Sequence, residues 1–235
     1  MAEERPIKQK EEQKIDIEHK DGLLEELNLP PHVIRFIKEN ARNLQIAAVC
    51  LVLVVLGWTY FDYYSQSQEN QASAALNAAI READDTDRIA LLKEVATEFS
   101  GTDAAVWSRI EQGHVAFKNG EYDKALAVYN EVADDLSGDS PLLPLLTYNT
   151  GIAQENSGAL DQALQSYAEL AGYKGFAVKG MMAQGRIYEL KGEKDAALEV
   201  YRAAAAKEEV SGPDRSILAE KIKGLKANEA APESS

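Results

Sequence analysis

The side chains that most often carry chemistry are few and scattered in this 235-residue chain. The three histidines, His19, His32 and His114, form no HExxH pair and no Ser-His-Asp set. Cys50 is the single cysteine, so neither an intrachain disulfide nor a paired-cysteine zinc site can form. Lying among Ala, Val and Leu, it reads as a small apolar residue. Glu121, Asp123 and Asp161 fall where helices are expected to begin, and the helix dipole favours acids there. They read as helix-start residues and not as an acid–base pair. No phosphate-cradling GxxxxGK[ST] and no GxGxxG after a strand is present. The chemistry-bearing residues therefore lead to no catalytic residue, no cofactor, no metal and no enzyme.

Charge narrows the partners. The formal net charge is −14 and the mean hydropathy −0.34. No concentrated basic face of the kind that phosphate binding needs is visible, so nucleic acid is excluded as a partner. The acid is unevenly placed: residues 1–43 carry 8 Lys+Arg against 10 Asp+Glu, whereas residues 62–235 carry 17 against 29.

Between Arg42 and Asp62 there is no charge at all, and residues 43–61 (NLQIAAVCLVLVVLGWTYF) are nearly all apolar. Nineteen residues of helix come close to the hydrocarbon thickness of about 30 Å. A water-soluble core helix would keep a polar face, which Ile46 to Leu56 lacks. The run begins more than 40 residues in, with no small-x-small site after Phe61, which favours a retained anchor over a cleaved signal peptide. Arg35, Lys38 and Arg42 precede the span, and the next cation after it is Arg81. The positive-inside rule then keeps the N-terminus in the cytoplasm and sends the acidic segment across. In a Gram-negative cell that means an inner-membrane protein with a periplasmic domain. Trp58, Tyr60, Phe61, Tyr63 and Tyr64 suit the far headgroup layer.

On the near side, residues 1–31 read as a charged, mostly disordered cytoplasmic tail, too polar to bury a core. Within it LLEELNL (23–29) forms a short apolar-acidic patch, and Asn28 can cap a helix entered through Pro30 and Pro31. Over 32–64 an amphipathic helix is expected to run straight into the span. Val33, Phe36, Ile37 and Leu44 share one side of it, and Arg35, Lys38 and Arg42 lie elsewhere. Contact with membrane lipid or a membrane partner is one reading of this helix. A solvated, snorkelling helix end is the other.

The elements that would position any site beyond the span repeat. Segments 106–133, 144–171 and 178–205 align without gaps. Gly113, Gly151 and Gly185 match, as do Gly120, Gly158 and Gly192 seven residues later. Ala125, Ala163 and Ala197 fall in register, followed by Tyr129, Tyr167 and Tyr201. The first glycine lets a second helix approach, and the next ends a helix where φ is positive. The alanine marks a close helix crossing, and the ring fills the space beside it. The fold expected is all-α, a solenoid of helical hairpins over 65–226. Helices at about 66–83 and 86–99 would lead it, a helix at 213–226 would close it, and a disordered tail would follow at 227–235.

These columns resemble the tetratricopeptide (TPR) family, whose helix pairs stack around a concave groove. The resemblance implies that helix-A side chains line the groove: Trp107, Ile110, His114 and Phe117, with Lys118, from the first repeat; Leu145, Tyr148 and Ile152, with Glu155 and Asn156, from the second; Met182 and Arg186, with Lys179, Glu189 and Leu190, from the third. The Lys and Asn with which some TPR proteins grip a terminal carboxylate are missing from these places. The groove then suits an unfolded or amphipathic peptide segment. It could equally be filled by residues 66–83 folding back.

The whole layout resembles the YfgM-type family of ancillary SecYEG translocon subunits, on the architecture, on LLKEVATEFSGTDAA before the first repeat and on LAEKIKGLKA in the closing helix. The resemblance implies a protein-interaction role beside the translocon, with translocon subunits and periplasmic chaperones as partners. A scaffold for another envelope assembly, in cell-wall or outer-membrane biogenesis, is the competing reading, since one fold hosts many functions.

Overall fold

A computed structural model describes residues 30–229, and among these there are ten helices and no strand. Two compact units divide at Tyr64 and Ser65. The expected charged tail lies outside the described residues except for Pro30 and Pro31, and residues 230–235 lie outside them too.

Helix α1 (Pro31–Glu39) carries proline at its first turn, where a missing N–H costs nothing. It does not run straight into the span as expected. Asn40 leaves helical geometry (φ −109°, ψ 16°), and its side-chain amide donates to the Phe36 carbonyl at 3.0 Å. Such local side-chain bonds compete with the helical ladder. Helix α2 (Ala41–Arg81) then runs unbroken for 41 residues, about 60 Å. Among the described residues it is the one helix long and apolar enough to cross a membrane. Its side chains from Ile46 to Phe61 are exposed, as a lipid-facing surface must be.

From Ser65 the chain is a stack of helices. The end of α2 pairs with α3 (Asp85–Glu98): Ala79 and Leu92 are buried with Val115, and Leu76 and Ile89 flank them. Asp84 caps α3, accepting from the amides of Thr86 and Asp87, and these bonds hold its carboxyl below the usual range. Thr102 caps α4 (Asp103–Lys118) by accepting from the Ala105 amide. Then come α5 (Tyr122–Asp135), α6 (Leu143–Asn156), α7 (Leu160–Gly172), α8 (Ala177–Leu190), α9 (Lys194–Ala205) and α10 (Gly212–Glu229). The closing helix runs three residues past its expected end and takes in the start of the stretch read as a disordered tail.

The two glycine columns do different work. Gly120, Gly158 and Gly192 end α4, α6 and α8 at φ +75°, +83° and +77°. At each stop the next residue's amide bonds back to a carbonyl five residues earlier, at 2.9, 2.8 and 2.9 Å. Gly113, Gly151 and Gly185 instead face the ring of the paired helix. A Cβ on any of them would fall under 3.0 Å from Tyr129, Tyr167 or Tyr201. All three tyrosines are buried beside the alanine column, Ala125, Ala163 and Ala197.

Candidate functional site

The residues expected to line one groove divide into three groups. On α4, Trp107 is 36% exposed and Phe117 half-buried, its ring 5.5 Å from that of Tyr122. His114 stands between Glu111 and Asn149, Nδ1 lying 3.3 Å from the carboxylate and Nε2 3.1 Å from the amide nitrogen. An Nδ1–H tautomer satisfies both, donating to Glu111 and accepting from Asn149. Ile110 does not line a groove: it is fully buried with Tyr129 and Leu146, because its side chain fills the space between successive helix pairs. Leu145 and Ile152 on α6 are half-buried, Ile152 against the cluster around Tyr167.

Tyr148, Met182 and Arg186 do come together. They line a cavity of about 420 Å³ with Lys179, whose ammonium lies 4.3 Å over the Tyr148 ring. The far wall comes from α10, through Asp214, Ile217 and Lys221. Reading the closing helix only as a cap misses these three. The signal was present: they stand 35 residues beyond Lys179, Met182 and Arg186, in the same register. Helix α10 is thus the first helix of a fourth repeat. Residues 66–83 do not enter this cavity; Ala79 among them packs against Leu92 of α3 and Val115 of α4.

A recurring bridge holds three of its lining residues, Arg186, Tyr201 and Lys221. Tyr167 donates to Glu155 at 3.0 Å, and Glu155 pairs with Arg186 of the next repeat. One repeat later Tyr201 donates to Glu189, which pairs with Lys221 at 3.0 Å. Arg186 and Lys221 hold equivalent positions, as do Glu155 and Glu189. In the first repeat Phe117 stands where the glutamate would be, opposite Ile152 where the cation would be. The glutamate–cation bridge is therefore confined to the later repeats, and between the first two the polar contact is that of His114 with Asn149. Burial pushes the hydroxyls of Tyr129, Tyr167 and Tyr201 well above their ordinary pKa. The Glu111 charge adds to the rise at Tyr129, Tyr148 at Tyr167, and the Glu189 hydrogen bond and charge at Tyr201.

Among the described residues no group of three or more His, Cys, Asp or Glu side chains could hold a metal ion. Every buried side-chain nitrogen or oxygen among them has a hydrogen-bond partner. The site is one of shape, apolar surface and fixed charge.

Comparison with known proteins agrees with this geometry. The family model described as a tetratricopeptide repeat-like domain matches residues 35–227. An ancillary SecYEG translocon subunit of Haemophilus influenzae is 25% identical over 169 residues, which cover 71% of this chain and 82% of that protein. Among solved structures, BtubC from P. vanneervenii superposes with a TM-score of 0.53 at 15% identity, covering 70% of this chain and 84% of its own. TPR-like repeats of a Podosopora anserina kinesin light chain superpose at 0.50 with 17% identity, covering 72% and 88%. At these identities the superpositions speak for the fold alone.

Proposed function

The chain belongs to the tetratricopeptide repeat-like domain family, and from that premise we propose that it is a non-catalytic inner-membrane protein whose periplasmic groove binds other polypeptides beside the translocon. Its partners would be translocon subunits, exported chains and periplasmic chaperones, with lipid around the span. The observation that carries the reading is a cavity with apolar walls and fixed charges, built on a TPR stack, in a chain whose described residues include one helix fit to span a membrane. The similarity to an ancillary SecYEG translocon subunit supports placing it beside that machinery. Arg35, Lys38 and Arg42 before the span, with no cation after it until Arg81, support a cytoplasmic N-terminus.

The test is photocrosslinking in membranes from probes at Trp58 and Trp107, read by mass spectrometry. Translocon subunits and periplasmic chaperones are the expected products. Recovery of cell-wall or outer-membrane assembly enzymes alone would favour the envelope-scaffold reading. The groove itself is tested by Met182→Asp with Ile217→Asp, both at solvent-reachable cavity walls. Crosslinks from Trp107 should fall about tenfold while helicity is unchanged. Undiminished crosslinks would place the working surface elsewhere.

A further inference from the structure

Helix α1 has two faces. Val33, Ile34, Phe36 and Ile37 recur at helical spacing along one side, and His32, Arg35, Lys38 and Glu39 take the other. No residue of α1 is buried, and Phe36 is 58% exposed. The apolar side therefore does not belong to a protein core. Its place in the chain decides what covers it. Asn40 alone separates α1 from α2, and the uncharged run of α2 begins at Asn43. On one straight helix Phe36 would stand about 10 Å before Asn43, and Val33 about 15 Å. The headgroup layer on each side of a bilayer is only about 5–8 Å deep. A straight helix would thus hold this apolar face in water. The departure from helical geometry at Asn40 lifts that constraint and lets α1 turn aside.

The charge around the break points the same way. Arg35, Lys38 and Arg42 stand about it, and Glu39 is the one acid from Pro30 to Arg42. Among the described residues neither Arg35 nor Arg42 is paired with a carboxylate. On the reading of residues 43–61 as a membrane span, we propose that α1 lies flat in the headgroup layer at the near end of that span and docks on anionic lipid. Val33, Ile34, Phe36 and Ile37 turn to the acyl chains, and Arg35 and Arg42 meet lipid phosphates. An acidic protein surface would attract the same cations. The bilayer has the advantage of tethering, because the span holds it within a turn of α1 and docking becomes an intramolecular event.

The experiment uses the full chain in liposomes of phosphatidylcholine, with or without phosphatidylglycerol. Cys50→Ala clears the background, and a spin label is placed by Phe36→Cys, Glu39→Cys or Leu53→Cys in turn. Accessibility to oxygen, which partitions into lipid, is compared with accessibility to a water-soluble nickel chelate. With phosphatidylglycerol present, the label at position 36 should favour oxygen and the label at 39 the chelate. Arg35→Glu with Arg42→Glu should lower the ratio of docked to free helix at least about tenfold, at roughly fivefold per cation lost. Omitting phosphatidylglycerol should lower it in the same sense. Equal chelate access at positions 36 and 39, or a depth at 36 indifferent both to lipid charge and to the reversals, would overturn the proposal. So would a label at 36 shielded in native membranes but open to the chelate in liposomes, which would assign the face to a protein partner. A lipid-embedded label at 53 beside a water-exposed one at 36 would sink this inference alone. A water-exposed label at 53 would sink the span and the docking together.

Discussion

Adding one methyl group at Gly113, Gly151 or Gly185 would bring a Cβ under 3.0 Å from the facing tyrosine ring. Glycine and tyrosine are therefore one unit, and neither can change alone without opening or crowding the pair. The hydroxyl end of that ring has its own chemistry. Tyr167 and Tyr201 donate to Glu155 and Glu189, and each glutamate then meets a cation from the next repeat. Because the folded state raises the pKa of Tyr129, Tyr167 and Tyr201 above their ordinary value near 10, folding holds these protons more tightly than the unfolded chain does. The stability this supplies is fully present below pH 10 and falls as the pH rises beyond it. Urea midpoints should stay level to about pH 9 and drop steeply above pH 10. In a Tyr129→Phe/Tyr167→Phe/Tyr201→Phe variant the drop should flatten. An unchanged slope would show that other groups dominate alkaline unfolding.

At the scale of elements, α2 combines two demands in one helix. Its first part has no charge from Asn43 to Phe61 and exposes its apolar side chains, while Ala72 and Ala79 further on are fully buried. A charge in the first part should disturb membrane insertion and leave the stack unaffected. Leu53→Arg should cost insertion about 2.5–3.5 kcal/mol. Carbonate extraction should then release a larger share of the protein, while the released fraction keeps its helical circular dichroism. Complete retention in the pellet would argue that the helix is held by protein contacts and not by lipid. The glycine stops on α4, α6 and α8 set the other element-level rule. Each ends its helix in the left-handed region with the same back bond, so α5, α7 and α9 all begin from an equivalent turn.

The whole molecule depends on its last helix more than a cap would suggest. Helix α10 covers Leu198, Tyr201 and Ala204 with Leu218 and Leu225, and also supplies one wall of the cavity. Burying Leu218 and Leu225 contributes about 1.5–3 kcal/mol each. Removing residues 212–229 should lower the thermal midpoint by several degrees and raise binding of a hydrophobic dye, because an end repeat left open exposes apolar surface. It should also remove groove binding, since Ile217 and Lys221 leave with the helix. A shortened chain with an unchanged midpoint would mean that α10 is an ornament on a self-sufficient stack.

The repeat columns, the apolar run and the absence of catalytic motifs were legible because each is a local pattern. A glycine at a helix end or a run without charge has the same physical consequence wherever the chain goes. From these alone the sequence determined an all-helical TPR stack and one segment fit for a bilayer. Which side chains meet was decided only in three dimensions. Ile110 and Tyr148 hold equivalent helix positions, yet one is buried in the core and the other walls a cavity, because burial depends on what the neighbouring pair presents. The bridges from Glu155 to Arg186 and from Glu189 to Lys221 join residues 31 and 32 apart in sequence, a distance over which no short-range pattern reaches. Likewise α10 became part of the site only once packing set Ile217 and Lys221 opposite Met182 and Tyr148, since a helix's own periodicity says which face is apolar but not what that face will meet.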